Sequence, residues 1–355
     1  MTPSRKKLLV RGGVALAVVA ALILIFFDGN KSGTLLKPHA VTIRATALPL
    51  PKGNAEIPSA LSLRMTNLWQ LEANSPSFGG ISALQASGGF LSMVSDTSAF
   101  VRVAQSDAAK AWRGTVSLPP AACRILAEPE QRDVESITTD AETGSFWLGF
   151  EHRNGVCRVA SAKQGGVRFR AVPEMANWPK GSGPEAMARL RNGAFLIFAE
   201  RPRGNGPIGD MLHVDRDPTD PAATVTVMRY RPPTGYRPVD AAQLPDGRIL
   251  VLNRRFEIPF RFSAQLSIID NPKPKAGQIV AGPILARFEG EALGENFEGL
   301  AIDDDGESLI IWLVADDNFM SIQKTVLVRM VWPNIARPNI ARDVEPGVET
   351  RQKPR

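Results

Sequence analysis

The sequence predicts an all-β fold: a β-propeller with five or six blades, preceded by an N-terminal hydrophobic signal or anchor segment. Three observations carry that expectation. A unit made of a polar residue, a glycine turn and an apolar strand recurs at intervals of 53, 50, 55 and 58 residues. Glycine (30) and proline (28) fall between short apolar runs in a chain of 355 residues, which favours many turns and short strands over a helical bundle. The first 35 residues differ in composition from everything that follows. With 44% hydrophobic and 22% charged residues, the remainder has the means to bury a core.

The chain opens on a basic stretch, Met1 to Gly13, and then runs unbroken through apolar residues from Val14 to Phe27. That order is the secretory pattern. Read from Gly12, a helix to Phe27 spans about 24 Å against a hydrocarbon core of about 30 Å, which favours a signal peptide over a spanning helix. No A-x-A cleavage site follows; the next residues are Asp28-Gly29-Asn30-Lys31. An uncleaved anchor with its basic residues held inside is therefore the alternative. Either way residues 36–333, the propeller, are expected outside the cytoplasm: periplasmic, secreted, or tethered to the inner membrane. Residues 334–355, rich in proline and arginine, read as an exposed tail.

The formal charge is +6, but residues 1–35 hold Arg5, Lys6, Lys7, Arg11 and Lys31 against Asp28 alone, so the rest is only +2. No basic run interleaved with aromatics remains, and nucleic acid is not an expected partner. The histidines, at 39, 152 and 213, fit no zinc spacing. Cys123 and Cys157 either pair in an oxidising compartment or stay as buried thiols; the sequence leaves both open.

The repeat begins at Ser82-Ala83-Leu84, Glu135-Ser136-Ile137, Glu185-Ala186-Met187, Asp240-Ala241-Ala242 and Glu298-Gly299-Leu300. A turn and an apolar strand follow each: Phe90–Ser95, Phe146–Phe150, Ala194–Ala199, Arg248–Leu252 and Leu309–Ala315. Each strand then meets a polar residue: Asp96, Glu151, Glu200, Asn253-Arg254 and Asp316. Outer strands are expected at Phe100–Ala104, Val156–Ala160, Arg168–Val172, Val225–Tyr230, Leu266–Ile269 and Thr325–Met330. Such a unit is one propeller blade, and stacking blades around an axis closes the core. Val41–Leu48, ahead of the first repeat, is expected to close the ring as an outer strand of the last blade. A pair of β-sandwiches would leave the recurring acidic position unexplained. The tryptophans at 69, 112, 147, 178, 312 and 332 are expected to pack between blades.

The strings F-G-G-I-S-A-L (78–84), D-V-E-S-I (133–137), G-P-E-A-M-A (183–188), G-Y-R-P-V-D-A-A-Q-L-P-D-G-R-I-L-V-L-N-R-R-F (235–256), N-F-E-G-L-A (296–301) and V-A-D-D-N-F (314–319) resemble the phytase-like domain family, also described by esterase-like activity of phytase. The resemblance runs from about residue 78 to 330. It implies an exported propeller with acidic residues clustered at one end of the central channel, and hydrolysis of a phosphate ester or related ester, metal-assisted in one reading. Two departures from the pattern stand out: Ser82 in the first acidic slot, and Asn253-Arg254 where an acid is expected.

Equivalent inner strands would bring Glu135, Glu185, Asp240 and Glu298 to one height in the channel, with Asp96, Glu151, Glu200 and Asp316 as a second set one hairpin away. Carboxylates about 6 Å apart at an effective dielectric near 20 repel by about 3 kcal/mol, so such a ring calls for a counter-charge. A divalent cation is one, calcium for preference, with Glu135, Glu185, Asp240, Glu298 and Asp316 as ligands. Arg201, Arg254 and Arg255, pairing with the acids, are another. In the enzyme reading Glu298, Glu135 or Glu185 accepts the proton of the attacking water, Glu298 first, while Arg201 or Arg254 holds the phosphate of a small substrate. No organic cofactor is expected, since neither a phosphate loop nor a dinucleotide fingerprint is present. In the alternative reading the protein is a non-catalytic envelope propeller that binds a ligand, a cell-wall component or a protein, and its acids bond the amides of neighbouring blades.

Overall fold

The computed structural model describes residues 37–51, 62–104, 111–117, 123, 133–179, 181–259 and 261–333. The leader and the tail lie outside them. Among the described residues no helix is long and apolar enough to cross a membrane. Two strands precede the repeats, β1 (His39–Ala47) and β2 (Arg64–Ala73). Blade 1 is β3 (Ile81–Ser87), β4 (Phe90–Ser95), β5 (Phe100–Ala104) and β6 (Ala111–Ser117). Blade 2 is β7 (Val134–Thr139), β8 (Phe146–Phe150), β9 (Gly155–Val159) and β10 (Arg168–Ala171). Blade 3 is β11 (Pro184–Arg189), β12 (Phe195–Ala199), β13 (Gly209–Val214) and β14 (Val225–Tyr230). Blade 4 is β15 (Arg237–Gln243), β16 (Ile249–Glu257), β17 (Arg261–Ile269) and, beyond the short β18 (Ile279–Val280), β19 (Ile284–Phe288). Blade 5 is β20 (Asn296–Asp304), β21 (Ser308–Asp316) and β22 (Val326–Pro333), completed by β2.

Among the described residues the fold is therefore a five-bladed propeller; neighbouring strands pair antiparallel except β18, which joins the outer edge of blade 3 parallel to β14. The innermost strands β3, β7, β11, β15 and β20 each contact the next, and β20 contacts β3, so the ring is closed. The sequence left five or six blades open. It also expected residues 41–48 to close the ring as an outer strand of the last blade; β1 does join that sheet, but outside a further strand, β2. β2 pairs with β22 and closes blade 5, while β1 lies between β2 and β6 and laces that blade to blade 1. Two strands ahead of the first repeat account for the extra length.

The core divides into clusters that coincide with the blade interfaces, because each blade is apolar on both faces and buries them only against its neighbours. Ala83 and Val94 of blade 1 pack with Ile137 and Leu148 of blade 2; Trp147 of blade 2 packs with Ile197 of blade 3. Leu196 and Val251 belong to one cluster between blades 3 and 4, Leu250 and Leu313 to another between blades 4 and 5, and Trp312 and Leu84 to a third across the closure. Trp69 of β2 stacks on Trp312 at 6.2 Å and meets Trp112 of blade 1 edge-on, as expected of tryptophans between blades. Cys123 and Cys157 form a disulfide inside the cluster between blades 1 and 2.

Two of the recurring strings dock on each other at the closure. Asp317 Oδ1 accepts the Gly80 amide at 3.0 Å, and the Phe319 ring lies where a side chain on Gly80, at φ +59°, would project. Gly299 permits a second close approach: a Cβ there would sit 2.6 Å from Val314 Cγ1 and 2.7 Å from Leu84 Cβ of blade 1. Gly299→Ala is expected to part blades 5 and 1 and cost about 1–3 kcal/mol, the usual penalty for overpacking. Chemical denaturation of the variant beside the parent checks this; an unchanged midpoint would mean that the closure tolerates the methyl.

Candidate active site

Each innermost strand carries a β-bulge at the same level. The pairing register slips between Ile81 and Ala83, Val134 and Ser136, Pro184 and Ala186, Pro238 and Asp240, and Phe297 and Gly299. The bulged residues are thus Ser82, Glu135, Glu185, Val239 and Glu298. A bulge re-aims the side chain it holds. At three of these five positions that side chain is a glutamate lining one cavity. On the second strand of each blade, the residue after the partner of the bulge is Asp96, Glu151, Glu200, Arg254 or Asp316, and all five line the same cavity. Its volume is about 210 Å³, and Asp133 and Arg201 complete its charged wall.

The register explains the fate of Asp240. It occupies the position after the bulge, equivalent to Ala83, Ser136, Ala186 and Gly299, where side chains face the neighbouring blade. Asp240 Oδ2 accepts the Leu300 amide of blade 5 at 2.7 Å and Oδ1 its neighbour's amide at 2.8 Å. Ser136, in the same slot, donates to the Pro184 carbonyl of blade 3. The expected ligand Asp240 is thus an inter-blade latch and does not line the cavity. Glu135, Glu185, Glu298, Asp316, Arg201 and Arg254 are brought together there as the repeat implied. The acid missing from blade 4 is replaced by Arg254 itself, whereas Asn253 is fully buried and receives the Tyr230 hydroxyl at 3.1 Å.

Asp133 was not singled out in the sequence, although D-x-E across a bulge sets both side chains on one wall. Asp96, Glu151 and Glu200, expected with Asp316 as a second set of acids one hairpin from the first, line the same cavity. Glu151 proves central. Its carboxylate belongs to two groups whose ligand atoms lie within 4.8 Å of one another: Glu135 with Glu151 and Glu185, and Asp133 with Glu151 and His152. His152 Nδ1 lies 3.2 Å from Glu151 and 3.5 Å from Asp133.

The cavity gathers eight carboxylates against two guanidiniums. Arg254 reaches Glu298, donates to Asn296 at 2.9 Å and lies 3.2 Å from Glu200. Glu200 is also gripped by Arg201 at 2.8 Å and Arg237 at 3.4 Å, so three arginines share its charge. The remaining acids are undercompensated. Burial pushes Glu135, Glu185 and Asp316 well above the usual carboxylate range, with neighbouring acids adding to it. Burial also raises Glu298, outweighing Arg254 and Asn296. Asp96 is pushed up to about 6 by burial against the hydrogen bonds of Ser95 and Thr97, and Glu151 to about 7 by burial and by Asp133.

An all-oxygen donor set that holds protons for want of counter-charge fits a hard divalent cation. It also fixes a sign. The folded-state values of Asp96 and Glu151 exceed their unfolded values of 3.8 and 4.5, so their contribution to stability is full below those values and lost as pH rises through about 6 to 7. For Asp96 the loss amounts to at most about 3 kcal/mol. In chelator the melting temperature is expected to fall between pH 5 and pH 8, and a millimolar divalent cation is expected to flatten that fall. Melts at both pH values with and without the cation check it; a flat profile in chelator would contradict the electrostatics.

A closed propeller whose channel ends in a ring of acids defines the class. The chain belongs to the phytase-like family, described by esterase-like activity of phytase, whose pattern matches residues 76–319. No curated protein matches the chain. Among solved structures it is similar to a luciferin-regenerating enzyme (8% identity, 84% of this chain and 95% of that one, TM-score 0.41). It is also similar to a chain of the nidogen/laminin complex (8% identity, 81% and 96%, TM-score 0.40). A third is an auxiliary nutrient binding protein from Bacteroides thetaiotaomicron (10% identity, 82% and 76%, TM-score 0.38).

Proposed function

We propose that the protein hydrolyses phosphate esters or related esters in the acidic cavity, with a divalent cation, calcium by preference, and that it works outside the cytoplasm. The observation that carries the reading is the convergence of Glu135, Glu151 and Glu185 within ligand distance of one another, beside two arginines, in a chain of this family. These three glutamates would hold the cation, which supplies Lewis acidity toward a phosphoryl oxygen. Arg201, with its side chain 47% exposed, binds the substrate's anionic oxygens at the mouth. Glu298, oriented by Arg254 and Asn296, takes a proton from the attacking water as the new phosphorus–oxygen bond forms. The ester oxygen leaves as the alcohol, taking its proton from solvent water at the cavity mouth, and Glu298 then returns its own proton to solvent. The basic leader and the Cys123–Cys157 disulfide support work in an oxidising compartment.

The test is a panel of phosphomonoesters, phosphodiesters and carboxylic esters offered to the full-length protein in detergent, with calcium, magnesium or chelator. Calcium-dependent turnover of at least one ester is expected. Calcium binding without turnover of any would favour the non-catalytic envelope propeller instead. A reporter fused after residue 355 should be active only outside the cytoplasm.

A further inference from the structure

A second cavity of about 550 Å³ adjoins the acidic one, and Glu200 and Arg201 line both. Its chemistry is unlike that of its neighbour. Pro202, Pro207, Pro232, Pro233 and Pro238 contribute walls that carry no N–H and are held by ring-locked backbone. Tyr236 and Tyr230 also line it, and their hydroxyls are occupied, by Ser263 at 3.0 Å and Asn253 at 3.1 Å, so rings are what they offer. Charge is confined to one side: Glu200 and Arg201, shared with the acidic cavity, and Arg237 beside them. Arg201 and Arg237 both hold Glu200 there, yet their side chains remain 47% and 48% exposed, with donors left over.

We infer that this cavity is the subsite for the organic half of the ester, and that it selects a flat apolar group, an aryl ring, attached to the anion held at the Arg201–Arg237 wall. The inference rests on the hydrolase reading and adds the substrate class to it. The acidic cavity is lined by eight carboxylates and two guanidiniums and offers almost no apolar wall to an organic group, whereas the second has the size of an organic-ligand site. Apolar walls beside a cationic junction match an aryl phosphate in both halves, and rigid walls lose little freedom on binding.

Phenylphosphonate and methylphosphonate, whose carbon–phosphorus bonds resist hydrolysis, separate the two halves. Titrated calorimetrically into the full-length protein with calcium, the phenyl compound is expected to bind about 10-fold tighter or more, the scale of burying a ring. Gly206→Trp places an indole at the cavity from a position with no heavy atom within 4 Å and no left-handed backbone. It is expected to bring the ratio of the two affinities toward one; Pro207→Trp serves if the first variant melts early. Equal affinities in the parent, or a ratio that survives in both variants, would overturn the subsite. If neither phosphonate binds while esters are still turned over, the subsite fails alone. If turnover is also absent, the hydrolase reading fails and takes the subsite with it.

Discussion

Glu298→Gln is expected to lower ester turnover by about 100-fold or more while the protein stays folded, the scale of a lost general base. The amide keeps the shape of the side chain and still accepts from Arg254 and Asn296, so the bulge has no reason to rearrange. What disappears is the charge that takes the proton of water. Stability should move little, because removing one of eight crowded carboxylates relieves repulsion that offsets the weakened tie to Arg254. Turnover and calorimetry on the same preparation decide the matter. A marked drop in melting temperature with activity retained per folded molecule would make Glu298 a structural acceptor, and full activity would remove it from the chemistry.

The second large effect is expected from Arg254→Met. One guanidinium spans Glu298, Asn296 and Glu200, and it holds on β16 the position taken by an acid in each of the other four blades. Burial pulls its proton affinity down, but the acids around it, Glu298 first, raise it further, so it stays charged at any working pH. Its loss leaves buried carboxylates without their partner, a change that costs about 3–5 kcal/mol. The penalty should be smaller at pH 5 than at pH 8, since the orphaned acids can then take up protons. Urea denaturation at both pH values measures it. Arg254→Lys should recover only part, because an ammonium cannot bridge three groups in one plane. A stable Arg254→Met protein would mean that Glu200, through Arg201 and Arg237, neutralises the wall unaided.

The hairpins were legible because their turns and strands follow local rules. Residues 100–104 and 225–230 form the expected outer strands, and the glycines before the second strands mark the hairpin turns. The ring of acids was legible through Glu135, Glu185 and Glu298, which repeat in both type and place. Asp240 misled because it matches the repeat in chemistry and misses it by one residue in register. Val239 holds the bulge there, and one residue along a strand turns a side chain from the channel to the adjoining blade. Arg254 was seen as a departure from the pattern, yet it occupies the fourth blade's acidic slot and brings the counter-charge with it. β2 escaped notice because its partner β22 lies at the far end of the chain, and no local signal records such a pairing.

That pairing also sets the order of assembly. The Thr66 hydroxyl bonds the Arg329 carbonyl across 263 residues of chain, so the strand made among the first is seated among the last. At roughly 5–20 residues per second, synthesis leaves β2 without its neighbour for on the order of 10–50 s. Contacts so distant in sequence slow folding and leave strand edges exposed in the interval. A ring joined through strands so far apart in sequence closes late: β2 has no seat on blade 5 until β22 has been made, and a truncation that removes β22 unseats β2 as well.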